Sequence, residues 1–552
     1  MSGIITAKQR DVSDKDYVFC RFINAIMFVF SLAGHLQDAY QWRRMNFSFF
    51  RTYESGSCVC KNSFCRQKNI RVLAFFIVLI LLAPAFAGCA SNSDTYFPKV
   101  TQPKIEGTSS SAGTTPAPSV TPGETLNGSN VLKVAAPISN TTAQYLAKLY
   151  TAKKTGVWND QDSGTSVSLE QLDTVKPAFS VEILQTPSTG ATEDTIDQWK
   201  ESGFVPDIIY TNALSSLEAS GDVLPLSDYA ANNPLFLPTR IYTPMLYSCS
   251  IADELYGIPY SASAQIMYVN MDVLIAAGVD TIPFNLDLNT LKTISESVRN
   301  LTTKDTPLEQ QTFAFYMASD LIPFLPSSFA GDAGWFMFNG TAFDFYSSAF
   351  TDAVMYLRSY IKSGYSVESL TAEDQQTAFS SLDPRLSKRV AMWVGTTAEV
   401  SLWSINHAYT LSISQIPAEN SDKESQLALT VYPLCISAQS ESPQLACDFA
   451  SFIALDDDAI LLSARLESID GLLPVVSSNA VWEAVCLQQT FGEELLLLQD
   501  KVPDAYYNPV TNHKQEYLLT LQLMGEYRTS LLDETADLQT ITNSLSNAKI
   551  AT

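Results

Sequence analysis

Short apolar runs alternate with amphipathic segments from Val131 onward, and this alternation restricts the fold more than any other feature of the chain. The runs are bounded by turn residues, which is typical of buried strands, and the segments between them have helical periodicity. Strands joined through helices favour an α/β fold with a largely parallel sheet. Ligands of such sheets bind beyond the carboxyl ends of the strands, where Asn212 lies. The predicted strands are 131–137, 179–186 and 206–212, and the predicted helices are 142–150, 195–203 and 213–221.

The alternation continues through the second part of the chain. Gly278 predicts a helix end, and Ser442 with Pro443 predicts the N-cap and first residue of another helix. A Gly-rich aromatic loop is expected over 330–340. The predicted strands here are 312–318, 389–395 and 427–437, and the predicted helices are 272–278, 287–300, 348–363 and 442–455, with a mostly helical tail from 481.

One extended stretch, LYGIPYSASAQIMYVNMD over residues 255–272, is unusual for a strand. It opens on a turn and ends at an Asn-Met-Asp that predicts a helix start. Small or polar side chains, those of Ser261, Ser263 and Gln265, stand among residues that should be core. The stretch therefore predicts a strand that is buried and yet carries small hydroxyl groups.

The charge of the chain is strongly acidic and unevenly distributed. The formal net charge is −24, and the residues up to Arg71 contain 11 Lys and Arg against 5 Asp and Glu. The remainder therefore carries −30. A body this acidic repels phosphate backbones and anionic headgroups, so nucleic acid is excluded as a partner.

An uncharged apolar stretch over 72–87 follows the basic sequence RQKNIR. Sixteen residues are short for a spanning helix, which needs about 20, but they fit a secretory signal. The end of the stretch, FAGC, resembles the lipobox of bacterial lipoproteins, with Phe86 where Leu is commonest. The resemblance implies a lipoprotein signal peptide over 71–89 and lipid on Cys89. A plain signal peptide and a membrane anchor are the alternatives.

The segments on either side of this signal are unlike each other. Residues 90–129 are rich in Ser, Thr, Pro and Gly and cannot bury enough apolar surface to fold, so we expect a flexible tether. Residues 1–70 precede the signal as an extension. Either translation starts downstream, with Met45 as the candidate, or the apolar residues 22–34 belong to a transmembrane extension.

The cysteines do not form a recognisable framework. Cys58, Cys60 and Cys65 have no fourth ligand at usable spacing, so no metal site is expected. The sequence leaves open whether Cys249, Cys435, Cys447 and Cys486 pair.

Five stretches together resemble a known family, the extracellular solute-binding proteins of ABC importers, and most closely its carbohydrate-binding group, family 1. Their order and spacing carry the resemblance. They are PDIIYTNALSSLEASGDVLPLSDY (206–229), ELYGIPYSASAQIMYVNMDVLIAAGVD (254–280), KRVAMWVGTT (388–397), LTVYPLCISAQSESPQLACDFASFIA (429–454) and DGLLPVVSS (470–478).

The resemblance implies an α/β, two-lobe periplasmic-binding-protein-like (type II) fold with interlobe hinge strands. The hinge strands would be 259–269, 427–437 and 471–476. A hinge strand is enclosed by both lobes and passes the mouth of the cleft, which would account for the small hydroxyl groups. The implied lobes are 130–258 with 435–470, and 262–430 with 474–552.

The resemblance implies that the protein captures a carbohydrate, expected to be an oligosaccharide, or a similar small polar solute. It would deliver this solute to an ABC permease in the membrane. The protein would act as a monomer without a cofactor. It would be lipid-anchored at the outer face of the cytoplasmic membrane or lie in the periplasm.

Sugars present flat apolar faces ringed by hydroxyls, so their sites combine aromatic platforms with hydrogen-bonding side chains. Trp335 is the first choice because Gly331 and Gly334 predict a loop around it. One departure from the family concerns Ala398, which stands where an aromatic residue is expected. The candidate platforms are Tyr260, Trp335, Trp393 and Trp403, and the candidate polar groups are Ser261, Ser263, Asp332, Glu399 and Asn212.

Two other functions remain open, a secreted lipoprotein hydrolase acting on glycans and a surface adhesin. Of the histidines, only His407 and His513 lie in the body, and the chain lacks H-E-x-x-H, G-x-S-x-G and P-loop motifs. We therefore expect no enzymatic activity, although carboxylate pairs for glycoside cleavage are available.

Overall fold

The computed structural model describes residues 131–158, 167–331, 334–338, 343–380, 382–406, 409–467 and 471–547. The expected extension 1–70, the signal peptide 71–89 with Cys89 and the tether 90–129 lie outside these residues, and so does Asp332.

Strands and helices alternate along the described chain. The strands are β1 Val131–Ala136, β2 Ser180–Gln185, β3 Ile208–Tyr210, β4 Ser250–Ile251, β5 Glu254–Leu255, β6 Gly257–Asn270, β7 Phe313–Phe315, β8 Val390–Thr396, β9 Leu411–Ser414, β10 Ala428–Ile436 and β11 Tyr506–Tyr507. The first helices are α1 Asn140–Lys154, α2 Leu169–Asp173, α3 Glu193–Glu201, α4 Leu214–Ala219, α5 Ser227–Ala231, α6 Thr243–Ser248, α7 Met271–Ala276, α8 Leu288–Arg299 and α9 Pro326–Phe329. The later helices are α10 Ser348–Lys362, α11 Ala372–Phe379, α12 Val400–Asn406, α13 Pro443–Leu455, α14 Asp457–Leu466, α15 Asn479–Cys486, α16 Gly492–Leu496, α17 Lys514–Leu532 and α18 Leu538–Asn547.

Local sequence accounts for most helix ends. Ser139 and Asp287 accept backbone N–H groups at the starts of α1 and α8, and Gly278 follows α7 with a φ of +79°. The helix predicted after Ser442 does begin with Pro443. Ser442 is the N-cap residue, as predicted, although its side chain accepts no N–H group, and proline at N1 leaves one fewer N–H group to satisfy.

One sheet unites nine of the described strands in the order β2-β1-β3-β10-β6-β8-β7, with β11 beside β10 and β9 beside β6. The strands β1, β2 and β3 are parallel, as predicted from the strand–helix alternation. The sheet as a whole is mixed, because β10 is antiparallel to both β3 and β6, and β6 is antiparallel to β8 and β9. The hairpin β4–β5, which immediately precedes β6, forms a separate two-stranded antiparallel sheet.

The long strand β6 belongs to two hydrogen-bonded neighbourhoods. Its first half, up to Ala264, pairs with β10, and its second half, from Gln265, pairs with β8 and β9. Leu473 provides a third connection, since its N–H and C=O groups bond the backbone of Ala262 over 2.7 and 3.1 Å. The strand predicted over 259–269 therefore crosses from one group of strands to the other.

A close approach fixes the first half of β6 against β10. A Cβ atom at Gly257 would lie 2.5 Å from Cβ of Pro433, so only glycine fits there without displacement. Pro433 also sits at a register shift in β10, next to Tyr432. Proline donates no N–H group to the ladder, which is why the irregularity falls at this point.

The described residues form two large hydrophobic cores. In the first, α1 packs on β2, and α13 packs on β6 and β10, with Tyr150, Phe179 and Phe449 in edge-to-face contact. In the second, α8 packs on β7, and α10 packs on α9 and α17. Trp482 and its neighbours up to Val502 belong to the first core.

Four buried cysteines in the described part of the chain carry free thiols, Cys249, Cys435, Cys447 and Cys486. Burial raises the pKa of the Cys249 and Cys486 thiols to about 12, so both stay protonated at neutral pH. Within the ranges that the structure covers, no helix is both long enough and apolar enough to cross a bilayer.

Candidate functional site

A cavity of about 470 Å³ lies where β6 passes from β10 to β8. Its wall comes from the middle of β6, the end of β8 with the turn that follows, the segments around 320 and 335, and one face of α17. The lining residues are Gln265, Ser319, Asp320, Ile322, Pro323, Phe324, Trp335, Phe336, Val394, Gly395, Thr396, Glu399, Tyr517, Leu521, Met524, Gly525 and Arg528. This volume falls in the usual range for small-molecule sites.

Trp335 forms part of an aromatic wall of the cavity and is 3% exposed. Its ring packs edge-to-face on Phe324, with the centroids 4.9 Å apart. The indole N–H group makes a hydrogen bond of poor geometry with the Tyr517 hydroxyl, which partly offsets the rise that burial causes in the pKa of Tyr517. A buried donor with a poorly aligned partner is incompletely satisfied, so a polar ligand atom at this place would be stabilised.

The backbone around Trp335 is held in an uncommon conformation. Gly334, Phe336 and Met337 all have positive φ values, of 58°, 51° and 63°. A Cβ atom at Gly334 would lie 1.9 Å from the Phe338 carbonyl oxygen, so glycine is required. Left-handed backbone at two bulky residues is strained and is often found at binding sites.

Arg528 ties α17 to the opposite wall of the cavity. Its Nη2 atom lies 3.3 Å from Asp320 Oδ1 and 3.2 Å from Glu368 Oε1, and it also donates to the Ser319 hydroxyl. Partial burial raises the pKa of Asp320, and the Arg528 guanidinium opposes that rise. The result is a charged clamp that fixes the position of α17.

Glu399 lies at the other end of the lining, in the turn after β8. Its Oε1 atom accepts the Thr396 N–H group over 3.3 Å, which completes a capping box. Its Oε2 atom accepts the indole N–H group of Trp403 over 3.1 Å. These contacts hold the carboxylate in one orientation.

Two of the predicted site residues, Trp335 and Glu399, line the cavity together. Trp393 and Trp403 do not line it, and instead lie in an aromatic cluster with Tyr268. Trp393 stacks on Tyr268 with the centroids 5.8 Å apart.

The serines of β6 also lie away from the cavity lining. The Ser261 hydroxyl bonds the Tyr210 hydroxyl over 2.8 Å, and the Ser263 hydroxyl bonds the Tyr432 hydroxyl over 3.1 Å. Both serines are buried, so their small size lets the two tyrosines pack against the strand.

Asn212 lies just beyond the carboxyl end of β3, and Tyr260 lies on the crossing strand β6. Tyr260 is half-buried and packs edge-to-face on Tyr210 over 5.5 Å. Glu467, which lies near Tyr260, accepts the Ser139 N–H group over 2.7 Å at the start of α1. Asn212 is partly exposed just beyond β3.

Most of the lining residues were not predicted, and one group of them lies on α17. Tyr517, Leu521, Met524 and Arg528 recur at helical spacing and face the cavity together. That periodicity is visible in the sequence, but no neighbouring residue indicates which part of the protein this helix face contacts. Among the residues that the structure describes, no group of three His, Cys, Asp or Glu side chains is placed to bind a metal ion.

A family profile described as bacterial extracellular solute-binding protein matches residues 176–460. This is more than half of the 552 residues. A search of curated proteins gave no match.

Solved structures with a similar fold include an ABC substrate-binding protein from Listeria monocytogenes in complex with cycloalternan, with a TM-score of 0.53 and 13% identity over 76% of this chain and 97% of that chain. The cyclic alpha-maltosyl-1,6-maltose binding protein from Arthrobacter globiformis has a TM-score of 0.53 and 16% identity over 76% and 97% of the two chains. An extracellular solute-binding protein from Staphylococcus aureus in complex with maltose has a TM-score of 0.50 and 14% identity over 76% and 96%. These similarities establish the two-lobe fold that the sequence predicts.

Proposed function

Because the chain belongs to the bacterial extracellular solute-binding proteins, we propose that it captures a carbohydrate between its two lobes and delivers it to the permease of an ABC importer. The observation that carries this proposal is the cavity beside the crossing strand β6. It combines an aromatic wall with charged and amide side chains at the place where the two groups of strands meet.

The chemistry of the lining suits a sugar. Phe324, Trp335 and Tyr517 offer apolar faces to the flat side of a pyranose ring. Gln265 and Glu399 offer hydrogen-bonding atoms to the hydroxyls around it. Two of the similar proteins named above are in complex with cycloalternan and with maltose, and the third is a binding protein for cyclic alpha-maltosyl-1,6-maltose. These ligands also support a carbohydrate as the solute.

The lobes are proposed to divide at the strands that cross between them, near residues 258–262, 430–435 and 470–474. The first lobe would hold 130–258 with 435–470, and the second would hold 262–430 with most of 474–552. The packing of Trp482 and Val502 in the first core favours placing 481–502 with the first lobe instead. Closing such a pair of lobes needs dihedral changes in only a few linking residues, and bound solute would shift the population toward the closed form.

The predicted site residues are proposed to act in two groups. Trp335 and Glu399 would contact the solute from the cavity, as would Asp332 in the same loop. Tyr260 and Asn212 would face it from the first lobe when the lobes close, and Ser261 and Ser263 would support that face through their bonds to Tyr210 and Tyr432. Trp393 and Trp403 would act through Glu399 and the strand β8 rather than by contact.

The cellular context is also proposed. The family is extracytoplasmic, and lipid on Cys89 with a tether over 90–129 would hold a monomer at the outer face of the cytoplasmic membrane. Binding without turnover is the expected activity, since the family consists of binding proteins.

Isothermal titration with a panel of neutral oligosaccharides, with product analysis of the same samples, tests this proposal. Saturable heat with an unchanged sugar would support capture for import. Release of shorter sugars would indicate a glycan hydrolase, and no heat with any sugar would leave an adhesin or another solute.

A further inference from the structure

The described lining of the cavity carries more negative than positive charge. Its ionisable side chains at neutral pH are the carboxylates of Asp320 and Glu399 and the guanidinium of Arg528. The lining therefore has a formal charge of −1, from two carboxylates and one guanidinium.

The guanidinium of Arg528 is already outnumbered by protein carboxylates. It forms ion pairs with Asp320 over 3.3 Å and with Glu368 over 3.2 Å. A ligand carboxylate or phosphate approaching Arg528 would also be repelled by these two negative groups. Arg528 thus has no surplus positive charge to offer an anion.

The guanidinium of Arg385, the cation near Glu399, is also paired with a protein carboxylate. Arg385 forks onto Asp383, with Nε 3.1 Å from Oδ1 and Nη2 2.8 Å from Oδ2. Its guanidinium also lies over the Trp403 ring, 4.7 Å from the centroid. A bidentate, stacked arginine is fixed in place, so it does not turn toward a ligand anion.

The first lobe repeats this pattern at the start of α1. Helix N-termini attract anions, but here the carboxylate of Glu467 occupies the position and accepts hydrogen bonds from Ser139 N–H and from the Thr142 hydroxyl. Tyr260 of the crossing strand lies beside this carboxylate. A protein carboxylate therefore already occupies the anion position at the N-terminus of α1.

From these four arrangements we infer that the site selects uncharged oligosaccharides and excludes sugar acids and sugar phosphates by charge. This inference rests on the function proposed above and adds the class of sugar. The net charge of −24 acts in the same direction, because it lowers the concentration of anions near the protein surface.

The test compares neutral sugars with acidic counterparts of similar shape, in the wild-type protein. Suitable pairs are maltose with maltobionate, mannotriose with trimannuronate, and galactotriose with trigalacturonate, titrated at low and at high salt. The neutral member of any pair that binds should bind at least about tenfold more tightly, a ratio that corresponds to about 1.4 kcal/mol. Added salt should reduce the ratio, because screening weakens the repulsion.

A charge-removing variant tests whether the cavity is responsible. Asp320→Asn keeps the shape and leaves Glu368 on Arg528, and it should reduce the ratio of neutral-sugar to acidic-sugar affinity about fivefold. Asp352→Asn, on the exposed face of α10, makes the same change in total charge away from the lining and should leave the ratio unaltered.

The outcomes separate the inference from the proposed function. Equal or tighter binding of the acidic members would overturn the inference and leave carbohydrate capture intact. Failure of all six sugars to bind would count against carbohydrate capture itself, and the inference would fall with it.

Discussion

The indole N–H group of Trp403 donates to the carboxylate of Glu399 over 3.1 Å, and this bond joins a buried aromatic cluster to the lining of the cavity. Trp403 is not part of the lining, so we expect it to act on the site through Glu399 rather than by contact with a solute. The pair shows how a core residue can control the orientation of a side chain that faces the ligand.

Removing the indole N–H group of Trp403 while keeping an aromatic side chain should weaken solute binding. We expect Trp403→Phe to reduce affinity roughly fivefold, about 1 kcal/mol, because Glu399 loses a hydrogen bond to a charged group. Titration of the sugar that binds best measures the effect. In Glu399→Gln protein the same Trp403→Phe change should have a smaller effect, and full additivity of the two substitutions would argue against coupling.

Trp335 contributes an aromatic ring to the lining. Trp335→Ala should weaken sugar binding by about 1–3 kcal/mol, the magnitude of a lost aromatic contact in a binding site. The measurement is titration of protein shown to be folded by thermal melting, with Trp335→Phe as a milder variant.

The matched control for Trp335 is Trp199→Ala, because Trp199 lies on α3 outside the lining. It should leave the affinity unchanged. An unaltered affinity in Trp335→Ala protein would remove Trp335 from the site.

The crossing strand tolerates no added atom at its start. Gly257→Ala should lower the free energy of unfolding by about 1–3 kcal/mol, because the new Cβ atom would lie 2.5 Å from Cβ of Pro433. Urea denaturation measures it. Gly525→Ala is the control, since a Cβ atom there meets nothing within 4 Å and alanine favours the helix, so stability should rise by about 0.5–1 kcal/mol. Equal effects of the two changes would contradict the packing argument.

Glu467 gives the fold a dependence on acid pH. Burial alone would raise the pKa of Glu467, but hydrogen bonds from Ser139 and Thr142 outweigh it, and the pKa is lowered from 4.5. A carboxylate with a lowered pKa stabilises the fold fully above its unfolded pKa, and this stabilisation is lost as the pH falls through the folded pKa.

Glu467→Gln should therefore lower the free energy of unfolding at neutral pH. The free energy of unfolding should also fall less in the variant than in the wild type as the pH drops below about 4.5. Urea denaturation at several pH values measures both effects. The exposed Glu373 on α11 is the control, and Glu373→Gln should leave the decline as it is in the wild type. Parallel curves for wild type and Glu467→Gln would show that Glu467 does not contribute.

The sequence was sufficient for elements whose cause is local. The strand 131–137 and the helix 348–363 match β1 Val131–Ala136 and α10 Ser348–Lys362 because apolar periodicity and capping residues mark them. The crossing strand could also be predicted, since its composition and its family resemblance agree with β6 Gly257–Asn270.

The site was only partly predictable, because its contacts join distant segments. Trp335 and Glu399 stand in recognisable turns, and both line the cavity. The Ser263 hydroxyl bonds that of Tyr432, which is far away in sequence, and no local pattern indicates this bond. The place of Arg528 in the lining could not be predicted for the same reason, since its partner Glu368 lies on a different element.

The central claim is that a sugar binds beside β6 and is enclosed by both lobes, and a crystal structure of the mature protein with its tightest-binding oligosaccharide tests it most directly. The account predicts sugar density against Trp335 and Glu399 on one side and near Tyr260 on the other, with the two groups of strands closer together than in the free protein. Sugar bound elsewhere, or held by one lobe alone with the spacing of the strands unchanged, would contradict it.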